Sequence, residues 1–335
     1  MELLTQGIEG MHSRTSIVIP NYNGINYLAD CLEAIRGQTL QPERVIVIDN
    51  GSSDGSADYL KEHYPWLRLV LFDHNTGFCG AVNEGIRISR AESMDYCILL
   101  NNDTKADADF IKELVRAMDE DDRIFSCQAK MLCMSDPSRM DDAGDLYCSL
   151  GWAFARGKGK PEEKYNRRAD IFSSCAGAAI YRMSVFDEIG IFDENHFAYL
   201  EDADIGWRAR ICGYRNVFVP TAKVLHVGSA SSGSIYNLFK VKNTSRNSIY
   251  LISKNMPLPQ IIINLPLLIA GFSVKAVFFA VKGFGKEYLN GLIQGVALSE
   301  TGKKEGRKFR RGSQAFPQYV RIQLELWINT IRRFI

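Results

Sequence analysis

The run Tyr96-Cys97-Ile98-Leu99-Leu100 carries no charge and ends abruptly on Asn101-Asn102-Asp103-Thr104. Successive oxygen-bearing side chains, one of them a carboxylate, suit a hard divalent cation. Mg²⁺ or Mn²⁺ takes few protein oxygens and completes its shell with water and phosphate. The simpler role for Asp103, capping the next helix, leaves its neighbours unexplained. Three other segments follow short apolar runs with polar, glycine-containing loops: Pro20-Asn21-Tyr22-Asn23-Gly24, Asp49-Asn50-Gly51-Ser52-Ser53-Asp54-Gly55 and Asn75-Thr76-Gly77-Phe78-Cys79-Gly80. Each alone is ordinary turn chemistry. Brought to one edge, their backbone N–H groups and short side chains could cradle a base, a ribose and a diphosphate. A second acidic centre, Glu201-Asp202-Ala203-Asp204, opens a helical stretch, where carboxylates favour the N-terminal dipole and can cap.

The elements needed to position these residues are legible in the same stretch. Continuous apolar runs at Ser16–Pro20, Arg44–Asp49, Arg68–Phe72 and Tyr96–Leu100 read as strands buried on both faces. Helical patterns fall at about 27–37, 56–64, 79–90 and 107–120. Such β/α alternation implies an α/β, doubly wound, mainly parallel sheet with ligands at the carboxyl ends of its strands. Residues 134–170, rich in Gly, Ser, Asp and basic residues, read as a long loop, a feature that is usually functional or disordered. Order is expected to resume near Ile171, with helices at about 183–189 and 203–212 and a short strand ending near Pro220.

Charge divides the chain. Net charge is +1 overall, yet residues 221–335 hold 17 Lys/Arg against 4 Asp/Glu. A basic tail behind an acidic front suggests that the tail faces something anionic. The stretch 255–274 is uncharged and about long enough to span a bilayer, but Pro257, Pro259 and Pro266 are expected to break it. Farther on, Val320, Leu324, Trp327, Ile328, Ile331 and Ile335 form a helical stripe opposite Arg321, Glu325, Arg332 and Arg333. Such a helix could lie in a membrane interface, or pack on protein. The eight cysteines are scattered and without a CxxC pair, the pattern of free cytoplasmic thiols. The first twenty residues lack a signal-peptide pattern, and order is expected to begin near Thr15. No GxGxxG follows the first strand and no GxxxxGK[ST] occurs, which disfavours a nicotinamide oxidoreductase and a P-loop NTPase.

Taken in order, these segments resemble family 2 glycosyltransferases of the GT-A fold, in the bacterial rhamnosyltransferase-like branch. The resemblance continues through Asp142-Ala143-Gly144, Arg156-Gly157, Gly177-Ala178-Ala179, Gly190-Ile191-Phe192-Asp193-Glu194 and Glu201-Asp202-Ala203-Asp204-Ile205-Gly206-Trp207-Arg208 to His226-Val227-Gly228. It covers roughly residues 15–230. Any one motif is weak; the ordered set is specific.

The resemblance implies roles. Pro20, Tyr22 and Asn23 match the loop lining the nucleotide pocket, and Asp49 the carboxylate that meets the pyrimidine. Asp54 and the Asn75–Gly80 loop, Gly77 included, match the closure around base and ribose. Asp103 matches the last acid of the family's DXD metal motif, with Asn101 in place of its first Asp and Asn102 between. His226 matches a position that adds a metal ligand or a diphosphate contact in some members. Asp202 matches the general base that takes a proton from the acceptor hydroxyl, with Glu201 beside it. Trp207 is expected in the core, Arg208 could reach phosphate, and Gly177 would help shape the acceptor site.

The expected protein is therefore an inverting, Mg²⁺- or Mn²⁺-dependent transferase using dTDP-L-rhamnose or a UDP-sugar. Its acceptor would be a glycan or glycolipid, lipid-linked, at the inner face of the cytoplasmic membrane. The organisation implied is an N-terminal extension (1–14), a GT-A domain (15–230) and a basic, partly apolar helical C-terminal region (231–335). That last region would meet an anionic membrane surface or build a homo-oligomer. No nucleic acid is expected as partner. A non-catalytic nucleotide-sugar or glycan-binding subunit is the competing class, disfavoured because Asp49, Asp103 and Asp202 are all present.

Overall fold

The central sheet grows outward from buried apolar strands. β1 (Thr15–Asn21) leads through α1 (Ile25–Arg36) to β2 (Arg44–Asp49), α2 (Ser56–His63), β3 (Arg68–Leu71) and α3 (Gly77–Ala91). Then come β4 (Tyr96–Leu100), the short β5 (Thr104–Ala106), α4 (Phe110–Asp119) and β6 (Ile124–Cys133). The computed structural model describes residues 14–228, 236–309 and 315–335. The expected N-terminal extension, apart from Arg14, lies outside the described residues, as do residues 229–235 at the start of the expected C-terminal region.

Strands β3, β2, β1 and β4 are parallel neighbours. Their alternate side chains enter two cores: Ile17, Val47, Ile98 and Leu100 face one layer, and Val18, Ile46, Cys97 and Leu99 the other. Burial on both faces explains why the runs are continuously apolar rather than alternating. In α4, Phe110, Ile111, Leu114, Val115 and Met118 form the buried stripe of an amphipathic helix.

Residues 134–170, expected as a loop, are not one. They form β7 (Asp136–Asp142), which folds antiparallel onto β6, and a hairpin of β8 (Asp145–Cys148) and β9 (Trp152–Ala155), before β10 (Ala169–Ile171) joins β12. These strands are short, and their pairing partners, not their own pattern, supply the order; Gly151, at φ +73°, makes the β8–β9 turn.

β11 (Ala178–Arg182) inserts antiparallel between β4 and β6, and α5 (Met183–Ile189) and α6 (Glu201–Ile211) follow. β12 (Arg215–His226) does not stop at Pro220. It crosses a register break between Val219 and Lys223 and runs on parallel to β6 as far as His226. A bulge is where a sheet tolerates proline, and here it carries His226 to the site.

The rest is helical: α7 (Leu238–Asn255), α8 (Leu258–Val281), α9 (Gly285–Ala297), α10 (Ser299–Phe309) and α11 (Ala315–Arg332). The prolines do not break α8. Pro257 and Pro259 lie at its start, where no intrahelical N–H is lost, and the helix continues through Pro266. On α11 the buried residues are Ala315, Ile322, Gln323, Leu326 and Asn329, so the stripe from Val320 to Ile335 faces outward.

Candidate active site

Four strand ends meet at one edge, and their loops are tied together by amide side chains. Asn21 Nδ2 donates to Asp49 Oδ2 (2.8 Å), while Asn21 Oδ1 accepts from Asn102 Nδ2 (2.6 Å). Asn50 Nδ2 reaches the Gly77 carbonyl (3.0 Å), and its Oδ1 accepts the Thr76 amide (2.9 Å). The crossing leaves no spare room: a Cβ on Gly24 would fall 2.0 Å from Asn102 Nδ2. Asn, which donates and accepts from one planar group, is the residue type that can bridge loops in this way.

These loops form one wall of a cavity of about 860 Å³. Pro20, Tyr22, Asn75, Gly77, Asn101, Asn102, Asp103, Gly177, Glu201 and Asp202 all line it. Asn23, Asp49 and Asp54 stand behind it and hold the loops. Asn23 Oδ1 accepts the Ser53 amide (2.8 Å), Asp49 Oδ1 the Ser52 amide (3.0 Å) and Asp54 Oδ2 the Ile25 amide (3.0 Å).

Asp103 is buried, and its Oδ1 has no hydrogen-bond partner among the described residues. The same oxygen lies 3.2 Å from His226 Nε2, an ion-pair distance without hydrogen-bond angles. His226 Nδ1 contacts Asp141 Oδ2 (2.7 Å), and Lys158 Nζ donates to Asp141 Oδ1 (2.8 Å). Burial would depress the His226 pKa, but the Asp103 and Asp141 carboxylates raise it to about 9. Burial opposes ionisation of Asp141 as well; His226 and Lys158 nonetheless hold its carboxyl at about 2. Asp141 was not among the residues singled out from the sequence, although its neighbour Asp142 lies in a recognised motif. Once His226 gives up its proton, its Nε2, the Asp103 carboxylate and the amide oxygens of Asn101 and Asn102 are a donor set that fits a divalent cation.

The opposite wall begins with a strained turn. Phe197 (φ 61°, ψ −62°) closes a three-residue turn in which the Ala198 amide donates to the His196 carbonyl (2.7 Å). Tyr199 and Leu200 also have positive φ, 72° and 67°. Three such non-glycine residues in four positions are costly and persist only where surroundings over-determine them. Here α7 supplies the restraint: Asn247 Nδ2 donates to the carbonyls of His196 (2.9 Å), Ala198 (2.9 Å) and Tyr199 (2.7 Å). Arg246 adds a bond to the His196 carbonyl (2.7 Å). Gly77 packs against this turn, where a Cβ would lie 2.6 Å from the Phe197 carbonyl oxygen. Phe197, Ala198 and Tyr199, together with Asn237, Leu238 and Phe239 from the start of α7, complete the cavity. None of these six stood out in the sequence, since neither strand periodicity nor a motif marks them.

Asp202 follows this turn in the first turn of α6. Its Oδ1 accepts the Ala176 amide (3.1 Å). Burial and the neighbouring Glu201 carboxylate push its pKa well above the ordinary range. Burial likewise raises Glu201 to about 7, and its Oε2 is buried with no partner among the described residues.

Trp207 lies in the core against Tyr147 and Phe172. Arg208 does not reach phosphate from its position: it is 2% exposed and committed to Asp204 and to the carbonyls of Gly190 and Ile191. Asp193, His196 and Asp204 bring potential metal ligands within 4.8 Å of one another. The ammonium of Lys254, however, already sits against both carboxylates, 2.6 Å from Asp193 and 2.9 Å from Asp204. That cluster joins α7 to α6 rather than opening on the cavity.

The model of the family described as Glycosyl transferase family 2 matches residues 16–190, the stretch that holds all four strand-end loops and every strand of the central sheet but β12. Among curated proteins, the chain is 27% identical over 241 residues to the N-acetylglucosaminyl-diphospho-decaprenol L-rhamnosyltransferase of Mycobacterium tuberculosis. That match covers 65% of this chain and 77% of the relative. Among solved structures, S. aureus TarS 1-349 in complex with UDP-GlcNAc superposes with a TM-score of 0.56 at 15% identity, covering 89% of this chain and 90% of that one. GalNAc-T7 with UDP, GalNAc and Mn²⁺ superposes with a TM-score of 0.57 at 16% identity over 72% of this chain; the match spans about half of that longer protein, 47%. At such identities the structural likeness speaks for the GT-A fold alone. The family match, over more than half of the chain and on the loops that wall the cavity, goes further: this chain belongs to glycosyl transferase family 2 and is a glycosyltransferase.

Proposed function

We propose that the chain transfers a sugar, with inversion, from a nucleotide-sugar donor to a hydroxyl of a glycan acceptor. The observation that carries this reading is the placement of Asp103 and Asp202 on one cavity of about 860 Å³. The cavity is large enough for a nucleotide sugar, whose class of pocket runs to several hundred cubic ångströms. The loops after β1, β2 and β3 hold the nucleotide. Asp103, with His226 and the amides of Asn101 and Asn102, would hold Mg²⁺ or Mn²⁺; GalNAc-T7 was crystallised with Mn²⁺. When bound, the cation supplies neutralisation of the diphosphate charge.

Asp202 is the acceptor's base. The Ala176 amide fixes one carboxylate oxygen. The other is left for the acceptor hydroxyl, whose proton it takes as the oxygen attacks the anomeric carbon. The bond from that carbon to the nucleoside diphosphate breaks on the opposite face, the diphosphate leaving with the electron pair. A carboxylate desolvated by burial and repelled by the Glu201 charge is a stronger base than one in water. Glu201 and Gly177, on the same cavity, bound the acceptor side.

The M. tuberculosis relative is named for L-rhamnose transfer to a diphospho-decaprenol-linked sugar. That name supports L-rhamnose as the sugar and a lipid-linked acceptor; the reading takes dTDP-L-rhamnose as first donor and a UDP-sugar as second, with transfer at the inner face of the cytoplasmic membrane. The test is incubation with Mn²⁺ or Mg²⁺ and a panel of nucleotide sugars, read as donor hydrolysis or transfer. Wild type indistinguishable from Asp202→Asn and Asp103→Ala would overturn the reading.

A further inference from the structure

The C-terminal helices leave a large apolar surface whose shape and charge specify what covers it. Helix α8 has a mean hydropathy of 2.0, yet only 17% of its apolar window is buried. Leu258, Ile262, Ile269, Val274, Val277 and Val281 are each more than half exposed. α11 adds Leu324, Ile328, Ile331 and Phe334, all exposed. The two helices are neighbours, because Asn264 of α8 bonds Gln323 (2.8 Å) and Trp327 (3.3 Å) of α11. Exposed apolar residues in this number are not the scatter of an ordinary surface.

The contacts on the other side of α8 tie it along the protein. Trp152 Nε1 donates to the Gly271 carbonyl (3.1 Å), and a Cβ on Gly271 would fall 2.2 Å from the Leu150 carbonyl oxygen. A helix crossing a bilayer would have to leave these contacts and its bonds to α11. Held as it is, it can meet a membrane only lengthwise.

At the end of α11 lies a cleft of about 760 Å³, lined by Arg156, Lys158, Lys160, Lys164, Arg332 and Arg333. Its acid, Asp170, is already paired with Arg215 at 2.6 Å. Lys160 and Lys164 make no ion pair among the described residues, and the Arg333 guanidinium lies over the Phe154 ring. α8 carries no carboxylate, and the single one of α11, Glu325, is bound to Arg210 on the buried side. Lys158 is held by Asp141, but an apolar face bordered by Lys160, Lys164 and Arg333, which make no ion pair among the described residues, is complementary to acyl chains beneath phosphate headgroups. A second copy offers the same apolar face with the same excess of cations, and so supplies no anion to neutralise them.

We propose that α8 and α11 lie in the surface of an anionic membrane leaflet, with the Lys160–Arg333 cleft receiving lipid phosphate. The proposal deepens the membrane setting given above. It is tested without donor or acceptor, so its failure leaves the transferase reading intact, and loss of transfer would not by itself touch it.

The full chain is mixed with vesicles of phosphatidylglycerol and phosphatidylcholine, or of phosphatidylcholine alone, and binding is read by co-sedimentation. The fluorescence of Trp327, 42% exposed on this face, is followed in parallel against a Trp327→Phe control. The expected result is binding to anionic vesicles that weakens with salt, with a blue shift absent from the control. K160E/K164E should weaken binding by more than about tenfold, as reversing two surface charges does near a charged leaflet. Ile331→Ser/Phe334→Ser should weaken it on both vesicle types. Circular dichroism and melting temperature identify any variant that fails to fold. Equal binding to both vesicles, or K160E/K164E behaving as wild type, would overturn the role of the cleft. A chain that ignores vesicles but forms dimers dispersed by Ile331→Ser/Phe334→Ser would show that a second copy covers the face, and would overturn the whole.

Discussion

Asn247 Nδ2 lies 2.7 Å from the carbonyl oxygen of Tyr199, joining the middle of α7 to the strained turn that delivers Asp202. With the bonds to His196 and Ala198, one carboxamide with two hydrogens serves three carbonyls, so one hydrogen is shared. Asn247→Ala should remove its bonds to the Ala198 and Tyr199 carbonyls, while His196 keeps that from Arg246, and lower stability by about 1–3 kcal/mol. It should also lower kcat more than it raises the donor Kd, because the turn sets where Asp202 stands. Thr244→Ala, whose hydroxyl bonds only the Lys240 and Val241 carbonyls among the described residues, is the control. Equal effects of the two variants on kcat would remove the positioning role.

Asp202→Asn keeps the shape of the side chain and removes its basicity. Transfer should fall by about 10²- to 10⁴-fold, the usual contribution of a general base. Donor binding, measured by calorimetry with metal and nucleotide, should stay within about threefold, because the substitution leaves the nucleotide loops untouched.

Asp141 is linked to Asp103 through His226, whose Nδ1 it holds at 2.7 Å. Asp141→Asn should weaken Mn²⁺ binding by about 10- to 100-fold, as loss of a carboxylate behind a ligating histidine does. The measurement is Mn²⁺ titration in the presence of nucleoside diphosphate. Asp103→Ala should cost more, and a metal affinity unaffected by added nucleotide would count against joint binding, since Asp103 is the single carboxylate of Asn101-Asn102-Asp103.

The pH response follows from the raised carboxyls. Asp202 works ionised, and burial with Glu201 favours its neutral form. The rate should therefore rise with pH and be lost as pH falls through a value well above the ordinary 3.8. Stability runs the other way. Glu201, raised from 4.5 to about 7, favours the folded state when protonated. That contribution is complete below the unfolded value and is lost as pH rises through about 7. Glu201→Gln should flatten the decline, gaining on the order of 2 kcal/mol relative to wild type between pH 5 and pH 8. Parallel melting curves for the two proteins across that interval would contradict it.

Much of this molecule can be read from its chain. β2 and β4 begin and end where the apolar runs predict, and β1 and β3 do so to within one residue. A strand buried on both faces has to be apolar throughout, and the residue at which the run stops is where the chain meets solvent. The polar loops at those ends, from Pro20 to Thr104, are therefore legible as a group, and Asp103 with them.

What the chain conceals is set by contacts between distant segments. Residues 134–170 carry weak patterns of their own and become strands because β6 and β12 pair with them. His226 reaches Asp103 because β12 bulges past Pro220, which by local preference ends a strand. Phe197, Tyr199 and Leu200 take positive φ against their intrinsic preference because Asn247, some fifty residues later, satisfies the carbonyls that the turn frees. Burial acting residue by residue makes the four parallel strands and the chemistry at their ends readable along the chain. The far wall and the outward apolar face of α8 and α11 take shape only in the folded chain, because each depends on which helix packs on which.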